Sequence, residues 1–395
     1  MSKIRYKRIG DLVNFKRGYD LPASQRLSGL YPVISSAGIS GYHNEFKAEG
    51  QGVITGRYGT LGEMYFIDGK YWPHNTALYV TNFKGNNPRY IYYLLSCLGR
   101  IRTSDKSAVP GVNRNELHEM AVPVIEDTKQ QDKIADVLSA FDSKVELNNR
   151  INVELEAMAK ILYDYWFVQF DFPDKDGKPY KSSGGRMVFN PTLKREIPVG
   201  WDDGTLDDIG QIIGGSTPST KKPDNFTTKG TPWITPNDLS NNLGHKFIAR
   251  GAQDVTEAGI KDASLKKHPA GTVLLSSRAP IGYMAIAREE LTTNQGFKSF
   301  IPNNGYSTTF IYFTIKNSLK TIAQYASGST FQEISGSVLK TVRVCLPSSD
   351  IVELITKTVA PIFKRQDFLE QENQQLTQLR DWLLPMLMNG QVTVA

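Results

Sequence analysis

The sequence predicts an α+β protein in which two mixed α/β domains, related by internal duplication, are separated by two long antiparallel helices forming a coiled coil. Three observations predict it. Landmarks of the first half recur in the second at near-constant spacing. Each half opens with short apolar runs punctuated by Gly, Pro and Asn, and each then gives way to a stretch whose apolar residues follow helical periodicity.

The duplication shows in paired motifs. Gly52-Val53-Ile54, followed by Arg57 and Gly62, is echoed by Gly271-Thr272-Val273-Leu274, followed by Arg278 and Gly282, with one residue inserted. His74-Asn75-Thr76 is echoed by Thr293-Asn294-Gln295. Gly52 to Gly271 and Asn75 to Asn294 are both 219 residues, and Pro123 to Pro347 is 224. Identity between the halves is thin, so they share a frame and differ in what is mounted on it.

Tyr31-Pro32-Val33-Ile34, Ala77-Leu78-Tyr79-Val80, Thr231-Pro232-Trp233-Ile234 and Gly271-Thr272-Val273-Leu274-Leu275 read as strands bounded by turn residues. The runs from Pro88 to Leu95 and from Phe310 to Ile315 read as helices. Between Val124 and Phe172 Gly and Pro are absent. Steps of four and three from Ile134 there give Leu138, Phe141, Val145, Asn148, Asn152, Leu155, Ala159, Leu162 and Trp166, a coiled-coil seam interrupted by two asparagines.

The matching stripe is Leu369, Leu376, Leu379, Leu383 and Met386, with Leu155 and Leu376 separated by 221 residues, as are Leu162 and Leu383. The expected core of the helix pair is Leu138, Phe141, Val145, Leu155, Leu162 and Trp166 against Leu369, Leu376, Leu379 and Leu383. Asn148 and Asn152 either fix the register of the pair, because an amide facing an apolar partner is costly, or lie at a wet margin. Pro361 falls opposite Ala140, so the second helix should break or kink there, with a short helix preceding a longer one in both halves.

The stretch from Asp171 to Gly185 is polar and rich in Pro and Gly, as linkers are, and Pro198-Val199-Gly200-Trp201 opens the next folded unit. The expected boundaries are a first domain at 1–125, a first spacer helix at 126–170, a linker at 171–198, a second domain at 199–347, and a second spacer helix at 348–390 kinked near Pro361.

Composition excludes more than it identifies. With 395 residues, 40% hydrophobic and a mean hydropathy of −0.34, the chain is long enough for two or three globular units. A formal charge of +6 and a pI near 9.0 permit a polyanionic partner without requiring one. The densest basic run, Lys3, Arg5, Lys7, Arg8, Lys16 and Arg17, reads as a solvated edge. Cys97 and Cys345, each in an apolar setting, are expected to be reduced and buried, since two distant cysteines build neither a disulfide framework nor a zinc site. The opening Met1-Ser2-Lys3-Ile4-Arg5 lacks the apolar core of a signal peptide, and no apolar run approaches membrane-spanning length, so a cytoplasmic location is expected.

Motifs for catalysis do not assemble. A methyltransferase using S-adenosylmethionine needs a Gly-rich cofactor loop and an Asn/Asp-Pro-Pro-aromatic string, and the nearest match, Asn190-Pro191-Thr192-Leu193, lacks the second proline and the aromatic. There is no Gly-x-x-x-x-Gly-Lys-Ser/Thr phosphate loop. His43, His74, His118, His245 and His268 are scattered without metal-ligand spacing, and Asp11, Glu63 and Asp68 form no nuclease cluster. No catalytic residue and no metal ligand is therefore assigned.

Taken in order, several motifs make the chain resemble the specificity subunits of type I restriction-modification systems along essentially its whole length. They are Lys7-Arg8-Ile9-Gly10-Asp11-Leu12, the paired Gly-Val-Ile and Gly-Thr-Val-Leu strands, Gln131-Asp132-Lys133-Ile134-Ala135-Asp136-Val137-Leu138, the run from Glu154 to Lys160 leading to Trp166-Phe167, and the turn from Ser327 to Ile334. The resemblance implies a non-catalytic subunit with two target-recognition domains, each reading one half of a split sequence in double-stranded DNA. It also implies that the helices act as a spacer and dock two methyltransferase subunits, through which restriction subunits attach. S-adenosylmethionine, ATP and Mg would then belong to partners, with no membrane involved. Two alternatives stay open: a specificity subunit of another multisubunit methyltransferase or nuclease, and a structural adaptor joining protein partners.

On that reading, base and phosphate contacts come from three equivalent surfaces. The first holds Arg57, Tyr58 and Thr60 opposite Ser277 and Arg278; the second, His74 and Asn75 opposite Asn294 and Gln295; the third, Lys106, Ser107, Asn113 and Arg114 opposite Ser329, Thr330 and Gln332. Apolar residues off the seam, Ile151, Met158, Ile161 and Trp382, are the candidates for a partner's helices. A helical body from Asp142 to Trp166 would be roughly 38 Å long, close to the roughly 34–36 Å of one turn of B-DNA.

Overall fold

The structure, a computed structural model, describes residues 4–57, 63–98, 113–278, 280–325 and 333–394. It divides into two units, 1–147 with 372–395, and 148–371. As expected, the fold is mixed α and β, used twice, and each unit contains part of two long helices.

In the first unit β1 (Ile4–Arg8) leads through α1 (Ile9–Leu12) to β2 (Asn14–Arg17). There follow β3 (Tyr31–Ser35), β4 (Gly38–His43), β5 (Ala48–Gly56), β6 (Met64–Pro73) and β7 (Ala77–Asn82), then the helices α2 (Pro88–Ser96) and α3 (Arg114–Glu119), and β8 (Ala121–Ile125). β2 to β7 form one sheet in the order β2-β7-β5-β6-β3-β4, while β1 pairs with β8. Helix α2 starts where Asn87 accepts from the Tyr90 amide and Pro88 takes the first turn. Its buried face, Tyr90, Ile91 and Leu94, closes on Phe15, Val53 and Leu78 of the sheet.

In the second unit the π-helical turn Asp164–Val168 ends the first long helix. The hairpin β9 (Met187–Asn190) and β10 (Arg195–Pro198) comes next, then β11 (Asp202–Thr205), α5 (Leu206–Ile209), β12 (Gly210–Gly214), β13 (Phe226–Thr227) and β14 (Thr231–Ile234). Two elements without counterpart in the first unit follow, α6 (Pro236–Asn241) and β15 (Phe247–Ile248), then β16 (Gln253–Val255), which pairs with β14 as β4 pairs with β3, and α7 (Glu257–Asp262). The shared plan resumes with β17 (Val273–Ser276), β18 (Met284–Ala287), β19 (Thr292–Thr293), β20 (Phe297–Pro302), α8 (Thr308–Gln324), α9 (Gly336–Leu339) and β21 (Arg343–Leu346).

Pairing registers establish the duplication independently of side chains. β3 runs parallel to β6 with Ile34 opposite Pro73, and β14 runs parallel to β19 with Ile234 opposite Thr293. β5 lies between β6 and β7 as β17 lies between β18 and β20. β1 pairs with β8 as β11 pairs with β21.

The long helices are α4 (Thr128–Tyr163) and α10 (Ser349–Met388). In the first unit Ile134 and Leu138 pack with Leu387 and Met388, and further along Asp142 meets Arg380, the antiparallel sense. In the second unit Gln366 donates to the Asn152 carbonyl at 3.3 Å. Of the expected core, Leu138, Trp166 and Leu369 are buried, and Phe141, Val145, Leu155, Leu162, Leu376 and Leu383 are half-buried.

Leu379 is a correction, because 43% of it is exposed. From Leu376 the seam steps four residues to Arg380, not three to Leu379, since the guanidinium pairs with Asp142 across the helices. Pro361 does not interrupt α10 either. Val359 and Phe363 are buried on either side of it and the proline itself faces solvent, so packing holds the turn whose backbone bond it deletes. Neither long helix is split into a short and a longer piece. Asn148 and Asn152 are both buried, not at a wet margin.

The segment after Phe170, expected as a linker, packs into the core of the second unit. Phe172 stacks between Tyr180 at 4.7 Å and Trp201 at 5.0 Å, and Asp171 accepts from the Ser182 amide at 2.7 Å and hydroxyl at 2.6 Å. Both cysteines are free and half-buried, and burial pushes the Cys97 thiol up to about 11. No helix among the described residues is long and apolar enough to cross a membrane.

Candidate nucleic-acid interface

Two loop clusters, one per unit, are built on the same main-chain frame. In the first unit the end of β5 delivers Arg57, whose amide donates to the Thr76 carbonyl at 2.8 Å. The turn after β6 is fixed by the His74 amide donating to Ile34 at 2.8 Å. In the second unit the Ser277 amide donates to Gly296 at 2.7 Å, and the Asn294 amide to Ile234 at 3.0 Å. The strand entering each sheet crosses this turn closely. A Cβ on Gly18 would stand 2.2 Å from the His74 carbonyl, and one on Gly215 would stand 2.1 Å from the Asn294 carbonyl. Only glycine fits at either crossing.

The side chains mounted on this frame differ. His74 Nδ1 and the Thr76 hydroxyl are 3.0 Å apart, and burial, with Arg26 behind it, holds the imidazole below its ordinary value against the pull of Asp20. Asn75 donates to Asp20 at 2.5 Å, and Arg17 Nε donates to the Asn75 carbonyl at 3.2 Å. Lys16 reaches the Tyr19 hydroxyl at 3.2 Å, which puts Lys16 and Arg17 beside the same turn.

The opening basic run therefore splits. Arg5 and Lys7 pair with Glu126 at 3.2 and 2.5 Å and Arg8 pairs with Glu119 at 2.9 Å, whereas Lys16 and Arg17 border the candidate site. Sequence reasoning saw the run but treated all of it as edge. The sequence carried no sign of which part pairs internally, because Glu119 and Glu126 are distant in the chain.

In the second unit Ser277 is a correction to the candidate base-contacting set. It is fully buried and its hydroxyl donates to the Gly296 carbonyl at 3.2 Å, so it shapes the loop. Arg278 pairs with Glu333 at 3.0 Å, and the Ile334 amide donates to the Ser277 carbonyl at 2.9 Å, which ties Glu333 and Ile334 to the first surface. Asn294 accepts from the Gly296 amide at 2.8 Å, and the exposed Gln295 accepts from the Thr217 hydroxyl. Lys298, 3.9 Å from Glu333, adds a cation that sequence reasoning missed, since nothing in the chain marks it.

Asn113 caps α3, accepting from the Asn115 amide at 2.9 Å, and Arg114 reaches the Asn115 side chain. Tyr58, Thr60, Lys106, Ser107, Ser329, Thr330 and Gln332 lie outside the described residues. On the helices, Met158 and Ile161 in the second unit and Trp382 in the first are exposed, while Ile151 is half-buried. No group of His, Cys, Asp and Glu among the described residues could hold a metal ion.

The family described as type I restriction modification DNA specificity domain matches residues 1–157 and again residues 198–378, once in each half. The chain belongs to this family. As a specificity-domain protein it resembles the type I restriction enzyme MjaIX specificity subunit of Methanocaldococcus jannaschii, at 43% identity over 47% of this chain and 43% of that one. It also resembles the type I restriction enzyme HindI specificity subunit of Haemophilus influenzae, at 29% identity over 68% of each chain. The matched stretch is thus less than half of the first relative and about two thirds of the second. The crystal structure of a type I restriction-modification system S subunit from M. genitalium has the same fold, with a TM-score of 0.61 at 17% identity over 98% of this chain and 96% of that one.

Proposed function

We propose that this chain is the non-catalytic subunit that selects the DNA sequence for a type I restriction-modification complex. Each unit reads one half of a bipartite target, and the long helices carry the methyltransferase subunits. The observation behind this reading is the repeated main-chain frame at the two loop clusters, which holds different side chains in equivalent places within a chain of the specificity-domain family. Two equal frames with unequal fittings suit two half-sites of different sequence, with Lys16, Arg17 and Lys298 supplying phosphate contacts beside them.

The exposed Met158, Ile161 and Trp382, with the half-buried Ile151, are the proposed contacts for partner helices, being apolar side chains on the long helices that their own unit leaves wholly or partly uncovered. Methyl transfer, cleavage and their cofactors, S-adenosylmethionine, ATP and Mg, are assigned to the partners.

Methylome sequencing of a strain carrying this chain with its methyltransferase, against a strain lacking it, tests the proposal. The expected result is one methylated motif with two specified halves and an unspecified middle, lost on deletion. An unchanged methylome refutes it. Methyl transfer to DNA by the pure chain with labelled cofactor refutes the non-catalytic part alone.

A further inference from the structure

The inserted stretch that holds α6 and β15 in the second unit carries a buried charge with several partners. Lys246 precedes β15, which is the edge strand of the sheet β12-β20-β17-β18-β15. Its ammonium, 3% exposed, lies 2.6 Å from Glu156 on α4, donates to Gln366 on α10 at 2.7 Å, and sits 3.6 Å over the Phe363 ring. The free edge of the strand is taken by a second carboxylate: the Lys246 and Phe247 amides donate to the two oxygens of Glu370 at 2.6 and 3.1 Å. From the neighbouring strand, Arg288 reaches Asp367 at 2.6 Å.

A buried lysine is costly unless paired, and burial pushes this amine down to about 8 while Glu156 and Glu370 act to hold its proton. A hydrophobic contact between the sheet edge and the helices would be simpler to build, but it would let the sheet slide, because apolar contact is non-directional. Here β15 and the residue after β18 are bolted to two different helices through directed bonds to Glu156, Gln366, Glu370 and Asp367. A body tied at several points that do not share a line cannot rock.

We propose that Lys246 is a positioning residue for target spacing: by fixing the second reading domain at one angle on the helix pair, it restricts the complex to one length of unread DNA between the half-sites. This rests on the function proposed above. None of the residues assigned to base contact belongs to the cluster, so loosening it should change the gap and leave the half-site bases as they were.

The test replaces Lys246→Met in the host strain and sequences its methylome. The expected result is unchanged half-sites, with motifs one base pair longer or shorter in the gap now methylated at least tenfold above the wild-type level. Retention of the single wild-type gap overturns the proposal. If the variant methylates nothing, Lys246→Met combined with Glu156→Gln, which removes the carboxylate that Lys246 shares with Lys316, decides it on the same readout. Complete loss in both variants, with circular dichroism melts like wild type, also overturns it, because the cluster would then serve half-site reading and not spacing. A wild-type methylome without any bipartite motif is a different outcome and counts against the function itself.

Discussion

Asp142 on α4 accepts from the Arg380 guanidinium of α10 at 2.6 Å with one oxygen and from the Tyr93 hydroxyl at 2.5 Å with the other. One carboxylate thereby ties both helices of the pair to the α2 helix of the first unit. Removing it by Asp142→Ala leaves a hydroxyl and part of a guanidinium without partners, at a cost of about 2–3 kcal/mol. Urea unfolding measures it. Leu379→Ala, at the neighbouring position that faces solvent, should stay within about 0.5 kcal/mol, and equal losses for the two variants would place the seam wrongly.

Gly215→Ala should act on one half-site only. The added methyl meets the Asn294 and Thr293 carbonyls at 2.1 and 2.3 Å, and backbone cannot swing away as a flexible side chain can. The turn bearing Asn294 and Gln295 must shift, so selection of bound sequences should show one half of the target degenerate and the other intact. Gly18→Ala should give the mirror result. Loss of both halves from either change would show that the two clusters are not separate readers.

Lys16 and Arg57 should separate affinity from discrimination. Lys16→Gln removes a charge at the border of the site, weakening binding to all sequences and lowering the slope of log affinity against log salt by about 1. Arg57→Ala should relax preference at one base position by about 1–3 kcal/mol. Competition binding with single-base variants of the target, at several salt concentrations, distinguishes these outcomes from their reverse.

His268 gives the second unit an acid-sensitive element. It is fully buried, with Nε2 3.3 Å from the Thr293 hydroxyl, and burial pushes its pKa from 6.5 down to about 4. Between those values the unfolded chain binds more protons than the folded one, so this contribution to stability is complete above pH 6.5 and lost as pH falls toward 4. His268→Gln does not titrate. Wild type should lose more unfolding free energy than the variant between pH 7 and pH 4, and parallel curves would show that the imidazole is not the cause.

The repeat, the long helices and most strands were legible because they rest on periodicity and spacing, which a chain displays directly. Leu379 was misplaced because a heptad count cannot know that Asp142 waits for Arg380 one position on. Pro361 was over-read for a related reason: its helix-breaking tendency is local, whereas Val359 and Phe363 are held by tertiary packing. At the candidate site the loops were found but the division of labour was not. Ser277 resembles a base-contacting serine in sequence and is turned inward by the Gly296 carbonyl. The crossing glycines, Gly18 and Gly215, were overlooked although each follows a short strand, since a close approach to a distant turn leaves no mark beyond the glycine itself.

The Arg57 to Thr76 and Ser277 to Gly296 bonds run from one peptide group to another. The frame thus does not depend on which side chains stand at Arg57, His74, Asn75 and Gln295, while it does depend on the glycine crossings beneath them. On the proposed function, such a layout would let a lineage drift from one recognised word to another by point changes, without passing through an unfolded ancestor.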